Sequence, residues 1–106
     1  MLKTFTEENF QTEVLEASQA VIVKFWSEGC YPCKMMSPVV AEFAEKYADK
    51  LIVGEVNTQS NMELAVKYGV SGVPTTMVFK DGERQGEIVG YVDLEDLEDV
   101  FKDYLG

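Results

Sequence analysis

The chain has 106 residues, 46% of them hydrophobic and 11% aromatic, and a formal net charge of −10. This composition fits one globular domain with a modest core, and no run approaches the roughly 20 apolar residues of a membrane span. The acidity argues against nucleic-acid or anionic-lipid partners. The absence of histidine removes Cys-His and Ser-His nucleophiles and every imidazole metal site. Residues 1–8 hold no apolar signal region, so a cytoplasmic location is expected.

In chain order, residues 2–5 predict a short strand. Thr6 is placed to cap a helix with Glu7 and Glu8 in its first turn, the sign that end favours, and Phe10 and Val14 share one face of it. Residues 21–26 form an almost unbroken apolar run, as suits a central parallel strand covered on both faces. After Ser27-Glu28-Gly29 comes Cys30-Tyr31-Pro32-Cys33-Lys34 and a helix to about Tyr47. Met36, Val40, Phe43 and Tyr47 form its apolar stripe, and Pro38 is expected to kink it.

Residues 51–56 read as a second buried strand, residues 57–60 as a turn and cap cluster, and residues 62–68 as a short helix stopped at Gly69. Residues 75–80 and 84–89 flank Asp81-Gly82 as an antiparallel hairpin. Leu94, Leu97, Phe101 and Tyr104 line a last helix. Strand–helix alternation followed by a hairpin implies a mixed sheet with helices on both faces. The acids Asp93, Glu95, Asp96, Glu98, Asp99 and Asp103 read as a solvated helix face, with steering toward a basic partner as the functional alternative.

Cys30 and Cys33 are the only cysteines. A thiol at a helix N-terminus meets unpaired N–H groups and the positive end of the helix dipole, and both favour thiolate. Cys-x-x-Cys sites draw a thiol from about 8.5 toward about 7. A second thiol one turn on closes a disulfide with the first, which is the chemistry of dithiol–disulfide exchange. Two cysteines do not supply the four ligands of a structural zinc within one chain. An iron–sulfur centre shared by two chains and a non-catalytic docking module are the other readings of the pair.

Val23-Lys-Phe-Trp26, Cys30-x-Pro32-Cys33-Lys34, Pro38, Gly72-Val-Pro-Thr75, Phe79-Lys-Asp-Gly82 and Gly90 together resemble the thioredoxin family, from end to end of the chain. The resemblance implies the α/β thioredoxin fold: a central mixed five-stranded sheet flanked by four helices. It implies Cys30 as the attacking thiol, Cys33 as the buried resolving thiol and Pro74 in the cis form against them. Val73 and Thr75 would then offer backbone to an extended substrate segment, with Gly90 on the same surface. Trp26, Gly29, Tyr31, Pro32 and Lys34 would shape the site. The activity implied is that of a monomeric reductase of protein disulfides. It needs no cofactor beyond the cysteine pair and is recharged by a flavin-dependent thioredoxin reductase.

Three departures from the family pattern bear on chemistry. Family members usually carry Asp at the position of Lys24 and Lys at that of Glu55. Both positions fall in buried-looking strands, so the two are expected to pair. Glu55 becomes a candidate proton relay for Cys33, with a plain salt bridge as the alternative. Lys24, a cation in place of a buried anion, favours thiolate and a weaker reductant. Second, Gly29 stands where the family has Trp, which removes a flat apolar lip. Tyr31 restores part of that area, and an altered partner set and neutral drift both fit. Third, Tyr31-Pro32 replaces Gly-Pro. The string Gly29-Cys30-x-Pro32-Cys33 with Asn57-Thr58 is similar to thioredoxins of amino-acid-fermenting anaerobes that serve glycine reductase. A donor dedicated to one partner system is therefore the alternative function.

Overall fold

Five strands share one sheet in the computed structural model, which describes residues 2–106. They are β1 (Lys3–Thr4), β2 (Ala20–Trp26), β3 (Leu51–Asn57), β4 (Thr75–Lys80) and β5 (Glu83–Val89), in the spatial order β1-β3-β2-β4-β5. β1 and β2 run parallel to β3, while β4 runs antiparallel to β2 and to β5, so the sheet is mixed as expected. The long apolar run is central because both of its faces must be covered. Ala20 and Ile22 point to one core, and Val21, Val23 and Phe25 to the other.

Three α-helices and a π-helical segment flank the sheet: α1 (Tyr31–Lys46), α2 (Met62–Lys67), α3 (Leu94–Val100) and Gln11–Leu15. α1 and α3 bury Met36, Val40, Phe43, Leu97 and Phe101 on one face. The π-helical segment and α2 bury Phe10, Val14 and Leu64 on the other. Tyr47 caps α1 and is only partly buried, with its hydroxyl turned to Glu98. α1 runs on through Pro38.

The first helix departs from expectation. Thr6 Oγ1 accepts from the Asn9 amide at 3.3 Å, and Asn9 Oδ1 accepts from the Thr6 amide at 2.8 Å, a reciprocal cap over residues 6–9. Helical bonding follows at once, with the Phe10 amide donating to the Thr6 carbonyl at 2.9 Å, but from Gln11 to Leu15 the winding is that of a π-helix, with the Glu16 amide donating to the Gln11 carbonyl. The last helix also tightens, ending in a 3₁₀ turn at Lys102–Tyr104. At Gly54 a β-carbon would lie 2.5 Å from the Phe5 ring and 2.7 Å from the Lys3 carbonyl, so glycine lets the chain after β1 close over β3.

Candidate functional site

Register brings the polar residues of three strands into one row. On the face covered by α1, Ile22 of β2 lies between Val53 and Val78 and packs in the apolar core. Two residues further along β2, the same face carries Lys24, flanked by Glu55 on β3 and Thr76 on β4. Lys24 is 1% exposed and Thr76 is fully buried, whereas Glu55 reaches the rim. The Lys24 ammonium lies 3.4 Å from Glu55 Oε2 and donates to Ser37 Oγ at 3.2 Å. Ser37 in turn donates to the Cys33 carbonyl at 3.2 Å. Thr76 Oγ1 is, among the described residues, the buried side-chain polar atom left without a hydrogen-bond partner.

Above this row sits the start of α1. Cys30 is the N-cap residue, extended at φ −88° and ψ 105°, and its sulfur accepts from the Cys33 amide at 3.1 Å. One of the helix's orphan donors is thereby spent on the sulfur. Pro32 falls in the first turn, where its missing N–H costs nothing. Cys30 and Cys33 form a disulfide, with their Cα atoms 5.2 Å apart. Cys33 is 3% exposed and Cys30 is half-buried, so the two sulfurs differ in access.

A second loop closes over the pair. The Val73–Pro74 bond is cis, and the Val73 carbonyl lies 3.7 Å from Cys30 Sγ. Thr75 is buried as the first residue of β4, in register with Phe25 and Val89, and its hydroxyl donates to the Gly72 carbonyl at 2.5 Å. The Val73 carbonyl is thus the group of this loop next to the Cys30 sulfur. The Gly90 amide donates to the Pro74 carbonyl at 2.8 Å and ties β5 to the same loop.

Trp26 is half-buried at the end of β2, and its carbonyl receives the Thr58 amide and hydroxyl at 2.8 and 3.0 Å. With Lys24, Cys33, Lys34, Ser37 and Glu55 it lines an open cavity of about 300 Å³. Gly29, at φ +81°, stands at the edge of this cavity with no atom within 4 Å of where a β-carbon would point. Tyr31 is 71% exposed beside Cys30. The arrangement joins a half-buried cysteine at a helix tip, a buried cysteine that bonds to it, and an open pocket with charged side chains in its wall beside the second.

The thioredoxin family model matches residues 1–103. The chain belongs to the thioredoxin family. Among similar proteins, thioredoxin 1 of Synechococcus elongatus is 47% identical over 87 residues, 82% of this chain and 81% of the relative. The thioredoxins of Alicyclobacillus acidocaldarius and Porphyra purpurea are each 39% identical, over 96% and 94% of both chains respectively. Family membership together with a bonded cysteine pair makes the chain a thioredoxin-type dithiol–disulfide oxidoreductase. No helix among the described residues of this thioredoxin-family chain is long and apolar enough to cross a membrane.

Sequence reasoning paired Lys24 with Glu55 and missed Ser37. Its signal was available: position 37 lies one helical turn after Cys33, on the side that a buried lysine beneath α1 must satisfy.

Proposed function

We propose that the chain is a cytoplasmic, monomeric, single-domain reductase of protein disulfides, with a flavin-dependent thioredoxin reductase restoring its dithiol. The reading rests on one observation: Cys30 Sγ caps α1 and accepts the Cys33 amide while Cys33 stays buried beneath it. In the reduced protein the same amide and the helix dipole favour Cys30 as thiolate.

The Cys30 thiolate attacks one sulfur of a substrate disulfide. A mixed disulfide forms, and the first substrate sulfur leaves as a thiolate that takes up a proton. Val73 presents its carbonyl next to this sulfur, which suits pairing with an extended substrate segment. Gly90, Trp26, Tyr31, Pro32 and Lys34 form the surrounding wall and rim. Cys33 then loses its proton and attacks Cys30 Sγ. The second substrate thiol is released and the Cys30–Cys33 bond closes, so two electrons have passed to the substrate. Closure is intramolecular and outruns attack by a second thiol. Glu55, at the cavity rim, carries the proton from Cys33 to solvent, and the Lys24 ammonium balances the negative sulfur it leaves.

Turnover of insulin disulfides with the reductase and NADPH tests the whole scheme. Wild type is expected to be active and Cys30→Ser inactive, and equal rates would end the proposal. Glu55→Gln is expected to slow mixed-disulfide release and alter its pH dependence, and an unchanged profile would remove the relay.

The open edge at Gly29 favours a second reading, in which the chain serves one partner system. Cys33→Ser should strand substrates on Cys30. One dominant trapped protein supports the dedicated donor, and a broad set supports the general reductase.

A further inference from the structure

Ser37 has no part in the scheme above, yet it is the group of α1 that touches the buried cation. Its hydroxyl direction is fixed by chemistry. An ammonium has no acceptor, so Ser37 Oγ must accept from Lys24, and its own proton then goes to the Cys33 carbonyl. The chain of donors therefore runs from the ammonium through Ser37 into the residue that carries the resolving sulfur. The other partner, Glu55, stands on β3 at the rim and makes the longer contact, 3.4 Å against 3.2 Å.

A lysine headgroup rides on a flexible four-carbon stem. Held by Glu55 alone it follows the carboxylate toward water. Held by Ser37 as well it stays under α1. Charge effects at a half-dry site fall steeply with distance and with hydration. The place of the ammonium therefore sets how strongly it favours the Cys33 thiolate.

We infer that Ser37 is a positioning residue that fastens the Lys24 ammonium to the redox helix and so sets the pH at which Cys33 attacks. The inference rests on the proposed role of Lys24. Lys24, Glu28, Lys34 and Glu55 are the charged side chains lining the cavity beside Cys33, and Cys30 is the partner sulfur. Ser37 is exposed and helical, so alanine there leaves the fold intact.

The test uses the reduced full chain mixed with dithionitrobenzoate. The first thionitrobenzoate released reports attack by Cys30. The second reports closure by Cys33, followed across pH. With Ser37→Ala the closure midpoint is expected to rise, slowing closure near neutral pH about fivefold, somewhat under one pKa unit. Ser37→Thr, whose hydroxyl reaches the same carbonyl, should restore the rate to within about twofold. In a Lys24→Met background Ser37→Ala should add nothing. A midpoint unmoved by Ser37→Ala, while Lys24→Met moves it, would overturn the Ser37 assignment and leave the Lys24 reading standing. A midpoint unmoved by Lys24→Met itself would bring down both. An equal Ser37→Ala shift with and without Lys24 would overturn the coupling.

Discussion

Lys24 is a charge placed where the strand on either side is apolar, and its cost is borne by its neighbours. Burying an ammonium is expensive unless it is paired, and removing one partner leaves the whole penalty exposed. Lys24→Met replaces the cation by a thioether stem of similar length and leaves Glu55 at the rim, free to hydrate. We expect Lys24→Met to be close to neutral, because the partner it leaves, Glu55, is partly exposed and hydrates in place of the lost pairing. Glu55→Ala, by contrast, strands the ammonium and should cost about 2 kcal/mol, less than the 3–5 of a fully buried pair because the carboxylate site is partly wet. Urea unfolding of the oxidised protein measures both, and a destabilised Lys24→Met beside a harmless Glu55→Ala would reverse the account. Gly29 poses the opposite problem. No atom crowds its β-carbon position, but φ is +81°, so Gly29→Trp meets backbone strain of about 1–2 kcal/mol.

At the scale of the element, α3 shows how one acidic run divides into different jobs. Asp93 is its N-cap and accepts the Asp96 amide at 3.0 Å, so Asp93→Ala should cost about 1 kcal/mol. Asp93→Asn keeps the cap and removes one negative charge from the crowd, so it should cost nothing measurable. Equal losses for both would mean that charge rather than capping matters there. Glu98 instead leaves the run and crosses to α1, where it meets Lys46 and the Tyr47 hydroxyl. Its carboxyl is held below the usual range, first by the Lys46 hydrogen bond and then by Tyr47. Lys46 and Tyr47 are both raised, chiefly by their bonds to Glu98. A depressed acid contributes stability above its unfolded value of about 4.3 and loses it as pH falls through the folded one. Raised Lys and Tyr contribute below about 10 and lose it as pH rises further. Glu98→Gln should therefore lose less stability than wild type between pH 7 and pH 3, measured by denaturant midpoints. An equal acid loss would deny the tie any role.

Much of this layer is legible in the sequence, and what is not has physical causes. Residues 21–26 declared a central strand because continuous apolar sequence has no other stable place. Phe10 and Val14 did land on one buried face, but a five-residue pattern does not separate a 3.6-residue winding from a wider π-turn. Phe101 and Tyr104 are three apart, and that spacing fits the 3₁₀ turn that closes the chain as well as it fits an α-helix. The cysteines named themselves by type and spacing. The Lys24–Glu55–Thr76 row depends on register across three strands, and Ser37 joins it only once α1 is laid over that row.

At the scale of the whole molecule, charge dominates. The net charge of −10 sets a negative field around a reactive sulfur, and near it Glu28 opposes Lys34 at the cavity wall. Exposed charges act over about a Debye length, roughly 10 Å at 0.1 M salt, so the field at Cys30 sums over much of this small surface and is screened by salt. A substrate's own charge must then show in its encounter rate. Dithionitrobenzoate is a dianion and cystamine a dication, and both are small disulfides that make few other contacts. Reduction of dithionitrobenzoate should accelerate as salt rises from about 0.02 to 0.5 M, while that of cystamine should slow, each by several-fold. If both rates move the same way, the −10 charge is not felt at Cys30, and preference for a basic partner surface loses its basis. If the rates diverge as expected, the acids of α3 need not touch a partner to matter, because selectivity by sign is already present in the approach to the sulfur.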